Sequence, residues 1–150
     1  MLGILSDDEI ENTIKNNLIG RIGCRDGDEI YIVPVTYLYA EQAVVCHSFE
    51  GKKLRMMRNN PTVCFEVEDI SDFQNWKCII AKGRFEELTD TTSIAFAKEK
   101  LTEVALKKKT SLTSLSPAEY PFSKEQMLQG ISVFYKIHLG RISGRFESTQ

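Results

Sequence analysis

Histidine, tryptophan and cysteine are scarce in this chain of 150 residues, which has two, one and four of them. The cysteines stand singly, with no Cys-x-x-Cys pair and no histidine at metal-ligand spacing, so we expect buried free thiols and no bound metal. Such cysteine usage is typical of a reducing compartment and favours a cytoplasmic protein. The 19 basic residues do not outnumber the 21 acidic ones, which argues against a general nucleic-acid binder.

Long apolar runs and recognised catalytic motifs are also missing. No stretch approaches the ~20 apolar residues that a membrane-spanning helix needs, and residues 1–15 have neither a basic leader nor an apolar core. We therefore expect no membrane span and no secretory leader. The sequence has no GxSxG, P-loop, GxGxxG or HExxH motif, so a serine hydrolase, a kinase and a Rossmann dehydrogenase lack support.

Short β-type segments joined by turn residues dominate the rest of the chain. Ser6 and Glu9 form a capping box that starts a first helix, and a longer helical pattern precedes the last strand. Because six strands at this spacing are joined mostly by short turns, we predict one mainly β domain over 1–150, a six-stranded antiparallel β-barrel, closed or partly split, with flanking helices. The predicted elements are helices at 6–17 and about 90–109, and strands within about 18–88 and 131–147.

The strand predicted over Ile30–Ala40 is apolar on both of its faces. In a barrel the inner face fills the core, so the outer face needs a helix or a second subunit as cover. Pro34 cannot donate a hydrogen bond to a neighbouring strand, and it therefore marks an edge or a bulge.

The segment Val44–Pro61 passes from an apolar strand into a short helix that begins with two lysines. Gly51 gives the backbone freedom to turn and lets a ligand approach it, while the free amides and the dipole of the helix favour an anion. Ser48 adds a hydroxyl. Lys52 and Lys53 are unfavourable at a helix N-terminus by a few tenths of a kcal/mol unless an anion sits there. The pattern predicts a phosphate site, and a solvated basic helix start is the alternative.

Neither histidine belongs to a recognisable catalytic motif. On spacing alone His47, at a strand end, is more typical of a structural or surface group than of a catalytic one. His138 lies in the last predicted strand with no motif around it. The Lys107–Lys109 run is typical of a helix C-terminus, where lysines complement the dipole.

Four short motifs stand in order between Leu18 and Leu88, and a weaker match resumes at the C-terminal ISGRF. Together they resemble the pyridoxamine 5′-phosphate oxidase-like flavoproteins, and within them the nitroimidazole-resistance (Nim) branch. The motifs are GRIG at 20–23, PVTY at 34–37, HSFEGKK at 47–53 and NNPTVCF at 59–65.

The resemblance implies an FMN-binding split barrel that forms a homodimer, with FMN in a cleft at the subunit interface. Carried over by position, Ser48, Lys52 and Lys53 would hold the FMN phosphate, and Arg21 would reach the phosphate or the ribityl chain. The backbone of Pro34, Val35 and Thr36 would line the edge of the isoalloxazine ring, and Cys46, His47 and Gly51 would lie near the cofactor. Trp76 of the partner chain would contribute to the ring pocket. The alternative for Trp76 is an aromatic residue of the interface or the core.

The resemblance further implies an FMN-dependent oxidoreductase, which passes electrons from a reduced nicotinamide to a small acceptor, a nitroaromatic in the Nim branch. His47 is the candidate catalytic residue, and the bulky Phe49 beside it would narrow the acceptor pocket. The basic and aromatic residues that grip pyridoxal phosphate in the true oxidases have no clear counterpart here. Two alternatives stay open: a flavin carrier or redox sensor without turnover, and a haem-binding split barrel with His47 or His138 as axial ligand.

Overall fold

The computed structural model describes residues 1–107 and 132–149, and only the backbone of 104–107. Several sequence predictions therefore lie outside the described residues. They are the side chains of the lysine run 107–109, the last residues, 108–109, of the helix predicted at about 90–109, the loop 110–121 and a helical turn around 124–129. Among the described residues, no helix is long and apolar enough to cross a membrane.

Seven strands and three helices make up the described residues. In chain order they are β1 (Leu2–Ile4), α1 (Asp7–Asn16), β2 (Ile19–Asp26), β3 (Glu29–Ala40), β4 (Ala43–Phe49), α2 (Lys52–Asn59), β5 (Thr62–Asp72), β6 (Asn75–Glu87), α3 (Thr91–Lys107) and β7 (Ser132–Glu147).

Six of the strands close into an antiparallel ring, which confirms the predicted barrel. Their order is β7-β4-β3-β2-β5-β6, and β6 pairs back to β7. The remaining strand, β1, was not predicted, and it adds to the end of β7 through Leu2 and Glu147. Three residues are too few for an alternating pattern to be visible in a sequence.

The barrel is split between β3 and β4. β3 pairs with the whole of β2 through residues Glu29 to Thr36, but its pairing with β4 covers only Tyr37 to Ala40. Residues 29–36 therefore lack a strand partner on the β4 side among the described residues. Pro34 lies in this open edge, which confirms the prediction that it marks one.

Local sequence signals fix the turns and the first helix. The Ser6 hydroxyl accepts from the Glu9 amide, and the Glu9 carboxylate accepts from the Ser6 amide, so the capping box is present. Gly27 has a φ of 59°, the left-handed value that the β2–β3 hairpin turn requires. Glu41 and Gln42 also have positive φ and form the two-residue turn between β3 and β4.

Two apolar clusters hold the elements together. Inside the barrel, Tyr37 packs edge-on against Phe65 with ring centroids 5.1 Å apart, and its hydroxyl donates to the carbonyl of Ile14 at 2.6 Å, which docks α1. Outside the barrel, α3 covers the outer face of β4 and β7, where Val45 and Phe134 are buried.

The four cysteines are free, as predicted, but they are not all buried. Cys24 and Cys46 are buried in the barrel, whereas Cys64 is exposed and Cys78 is half-buried. The prediction was wrong for Cys64 because its neighbours Val63 and Phe65 point inward, and side chains alternate between the two faces of a strand.

Candidate functional site

The start of α2 is open toward solvent and carries no acidic residue. No side chain caps the helix, and its first turn contains two lysines and no carboxylate. Gly51, the N-cap residue, has φ 175° and ψ −168°, an extended conformation that any residue adopts, so the predicted need for glycine in the turn was wrong. A Cβ added there would meet only the Phe49 carbonyl, at 4.0 Å, and glycine therefore keeps the backbone accessible.

The two lysines at this helix start have different surroundings. Lys52 forms an ion pair with Glu29, and its Nζ lies 4.7 Å from the centroid of the Tyr31 ring. Lys53 has no carboxylate partner among the described residues, and its half-buried Nζ lies 6.0 Å from the centroid of the Tyr135 ring. Burial lowers the pKa of Lys53. Of the two lysines, Lys53 is therefore the one whose positive charge is uncompensated.

Below Lys53 the end of the barrel is lined by thiol and phenol groups. Cys46 and Tyr135 are fully buried, and burial raises the pKa of the Cys46 thiol to about 12 and that of the Tyr135 hydroxyl above its usual value. Both groups are therefore neutral at physiological pH. The Cys46 side chain is enclosed, so its implied contact with a cofactor stays a prediction.

A second ion pair anchors the residue that precedes Gly51. Arg58 donates from Nη1 and Nη2 to the two carboxylate oxygens of Glu50, at 2.8 and 2.7 Å, and also pairs with Glu87. The hydrogen bonds from Arg58 lower the pKa of Glu50. Sequence reasoning missed this contact because Glu50 lies outside the helix, where the usual spacing of helical neighbours does not apply.

His47 and Ser48 point to opposite faces of β4. His47 packs on the α3 side, with its ring 4.9 Å from that of Phe134 and 5.3 Å from that of Phe49. Burial, followed by the positive charges of Lys53 and Lys98, lowers the pKa of His47 to about 4, so the imidazole is neutral at pH 7. Its catalytic role stays a prediction.

Ser48 and the open edge of β3 flank the helix start. The Ser48 hydroxyl donates to the Phe49 carbonyl at 3.1 Å and keeps its lone pairs as acceptors. The backbone groups of Pro34 and Thr36 face the split and those of Val35 face β2, because the Tyr37 amide donates to Leu18 on the β2 side and backbone groups alternate between the two edges of a strand.

Arg21 and Trp76 lie away from the helix start within one protomer. Arg21 is on the outer face of β2 and pairs with Glu66 at 3.1 Å and Glu68 at 3.0 Å. Trp76 donates from Nε1 to Glu147 at 3.1 Å, at the end of β7 opposite to the end that pairs with Ser48. Their implied contacts with a cofactor stay predictions that require a second subunit.

The outside of the barrel carries an unusual number of exposed aliphatic side chains. Residues paired in register point to the same face of a sheet, and the pairings of β1, β2, β3, β5, β6 and β7 place seven of them on the outside of the barrel, interspersed with charged residues such as Arg21 and Glu66. We call this surface the outer apolar face; its members are exposed by 50–72 % and are Leu2, Ile4, Ile19, Ile30, Ile32, Ile70 and Ile80.

Comparison with known families decides what this arrangement belongs to. Residues 6–146 match the pyridoxamine 5′-phosphate oxidase family. The chain is a member of that family. The predicted resemblance is thereby confirmed at the level of the family.

Known relatives of this pyridoxamine 5′-phosphate oxidase family member agree with the fold. This chain is 31% identical to an uncharacterized protein, RA0666, of Rhizobium meliloti. The match covers 88 residues, which are 59% of this chain and 58% of that relative. The match thus spans less than two thirds of the curated relative.

Solved structures are similar along almost the whole chain. An FAD-binding protein of Mesorhizobium loti superposes with a TM-score of 0.78 and 26% identity, over 99% of this chain and 98% of that one. A candidate 5-nitroimidazole antibiotic resistance protein of Bacteroides thetaiotaomicron gives a TM-score of 0.69 and 16% identity, over 97% and 87%. The second likeness shows the fold alone.

Proposed function

We propose that this family member is an FMN-dependent oxidoreductase, which passes electrons from a reduced nicotinamide to a small acceptor. The observation that carries the proposal is the start of α2, where the Lys53 charge and the uncapped amides of the first turn lie together with no acidic residue in that turn. A buried or half-buried cation without a carboxylate partner is costly unless an anion neutralises it.

A phosphate monoester fits the residues at this helix start. The first-turn amides and Lys53 can donate to its oxygens, and Ser48 can donate if its hydroxyl rotates away from Phe49. Charge-assisted hydrogen bonds of this kind contribute about 1.5–3 kcal/mol each before entropy. Lys52 would contribute less, because Glu29 already neutralises its charge.

The open edge of β3 suits the flat ring of a flavin. The carbonyl of Pro34 and the backbone of Thr36 face the split, where they can accept from and donate to the polar rim of the ring. A bound flavin supplies hydride and two-electron chemistry, while the chain binds it, orients it and excludes water. The Mesorhizobium relative is named for FAD; we propose FMN because one uncompensated lysine and one helix start suit a single terminal phosphate.

Turnover tests the proposal directly. The protein loaded with FMN should lose its yellow absorbance on anaerobic addition of NADH or NADPH and regain it when a small nitroaromatic or a quinone is added. Stable yellow colour without acceptor-dependent turnover would support a flavin carrier or redox sensor instead. A Soret band with no flavin absorbance would support the haem-binding alternative.

We also propose that a second copy of the chain covers the outer apolar face. Contact with a second copy would remove the seven exposed aliphatic side chains from water, which is favourable. A dimer of this kind would place Trp76 and Arg21 of one protomer where they can reach the cofactor of the other.

Replacing Ile32 with lysine is expected to convert the dimer into a monomer, because the 66% exposed side chain lies within the outer apolar face and a charge there would be buried without a partner. Light scattering after gel filtration measures the mass. Phe96→Lys is the matched control, since Phe96 is 51% exposed but lies on α3, outside that face. A monomeric parent protein, or a variant that stays dimeric, would contradict the proposed interface.

A further inference from the structure

We infer that Arg58 is a positioning residue for the anion site: it holds the Glu50 carboxylate away from the start of α2, so that the free amides and Lys53 remain open to a phosphate. The inference rests on the proposed function, since it concerns the same site. It assigns a role to a residue that would not itself touch the ligand.

The geometry shows where Arg58 holds the carboxylate. Glu50 immediately precedes Gly51, the N-cap of α2, while Arg58 lies in the last turn of the helix. The Cα atom of Arg58 is six residues beyond that of Lys52, which is about 9 Å further along the helix axis. Both oxygens of Glu50 accept from the Arg58 guanidinium, at 2.7 and 2.8 Å, and the carboxylate makes no hydrogen bond to the first amides of the helix.

A released Glu50 would compete for the same amides. Carboxylates are stabilised at helix N-termini by the free amides and the dipole, and this helix has no side-chain cap that would exclude one. Because Glu50 is tethered one residue before the N-cap, it would act at a high effective concentration. Its charge would also repel the phosphate and partly neutralise Lys53. Glu29 is held in the same manner by Lys52, so the two acidic residues nearest the lysines are both engaged.

A purely structural role for Arg58 is the alternative. Arg58 also pairs with Glu87 at the end of β6, and this contact ties α2 to the barrel. If the tie alone mattered, removing Glu87 would weaken the site as much as removing Arg58, and removing Glu50 would not. The two carboxylates therefore provide a matched pair of controls.

Binding of FMN to a set of variants tests the inference. Dissociation constants are measured by quenching of flavin fluorescence at low salt for the parent protein, Arg58→Met, Glu50→Gln, Glu87→Gln and the double variant Arg58→Met/Glu50→Gln. Arg58→Met is expected to bind FMN about tenfold more weakly. The double variant should bind within about threefold of Glu50→Gln, because no negative charge is released, and Glu87→Gln should bind like the parent.

A second probe removes the flavin ring from the comparison. Inorganic phosphate should raise the melting temperature of the parent and of the double variant, and raise that of Arg58→Met less. Arg58→Gln, which can still hydrogen-bond to Glu50 but does not neutralise it, replaces Arg58→Met if the latter does not fold, with the same expected order.

The outcomes separate the inference from the proposed function. If the parent protein binds neither FMN nor phosphate, the proposed function fails, and the inference fails with it. If the parent binds FMN and Arg58→Met binds equally well, the inference alone is overturned. It is also overturned if the double variant binds as weakly as Arg58→Met, or if Glu87→Gln weakens binding as much, because a structural tie would then explain the loss.

Discussion

Replacing Lys53 with methionine is expected to weaken FMN binding about 10- to 150-fold, which corresponds to the loss of one charge-assisted contact. Of the two lysines at the start of α2, Lys53 is the one without a carboxylate partner among the described residues, and the charge of Lys52 is already paired with Glu29. Fluorescence titration with FMN measures the change. Burial lowers the pKa of Lys53 because it disfavours the charged amine. Without FMN, the Lys53→Met protein should therefore be at least as stable as the parent, so weaker binding can be told from unfolding.

Lys52→Met is the matched control for this prediction. The substitution removes the neighbouring charge in the same turn, but that charge is already neutralised by Glu29, and exposed ion pairs contribute little. Its effect on FMN affinity should therefore stay below about fivefold. An equal loss in both variants, or a larger loss for Lys52→Met, would show that the two lysines do not differ as the structure indicates.

Replacing Gly20 with alanine is expected to destabilise the protein by about 2–3 kcal/mol. A Cβ at Gly20 would lie 2.5 Å from Cε2 and Cζ of the Phe65 ring and 2.8 Å from the Glu66 carbonyl oxygen. Phe65 is fully buried in the barrel core, so neither the ring nor the backbone can move aside without disturbing the packing. Urea unfolding of the purified variant measures the change.

Gly23→Ala provides the comparison within the same GRIG motif. The nearest atom to a Cβ at Gly23 is Cβ of Cys64, at 3.8 Å, which is an ordinary van der Waals contact. The free energy of unfolding should therefore change by less than about 0.5 kcal/mol. Equal destabilisation of the two variants would mean that the close approach of Phe65 to β2 is not what requires glycine at position 20.

The parts of the fold that sequence reasoning predicted are governed by local interactions. The predicted capping box at Ser6 depends on two residues three positions apart, and the structure has it. The turn at Gly27 and the alternation within β5 are local in the same way. The location of the split was indicated by Pro34, since a residue without an amide hydrogen is tolerated where no strand pairs with it.

The features that sequence reasoning missed depend on contacts between separate elements. The sequence pattern does not distinguish Lys52 from Lys53. The distinction comes from an ion pair of Lys52 with Glu29, which lies at the start of β3, more than twenty residues earlier in the chain. The pairing of Arg58 with Glu50 and Glu87 likewise joins α2 to β6 and to the connection between β4 and α2. The role of each charge at the site thus follows from tertiary packing rather than from the motif that contains it.

Parallel titrations of the protein with FMN and with riboflavin test the central claim most directly, because riboflavin differs from FMN only by lacking the phosphate. If the start of α2 binds that phosphate, FMN should bind at least about 30-fold more tightly than riboflavin, and the difference should shrink as salt is raised. Equal affinity for the two flavins, or no binding of FMN at all, would contradict the account.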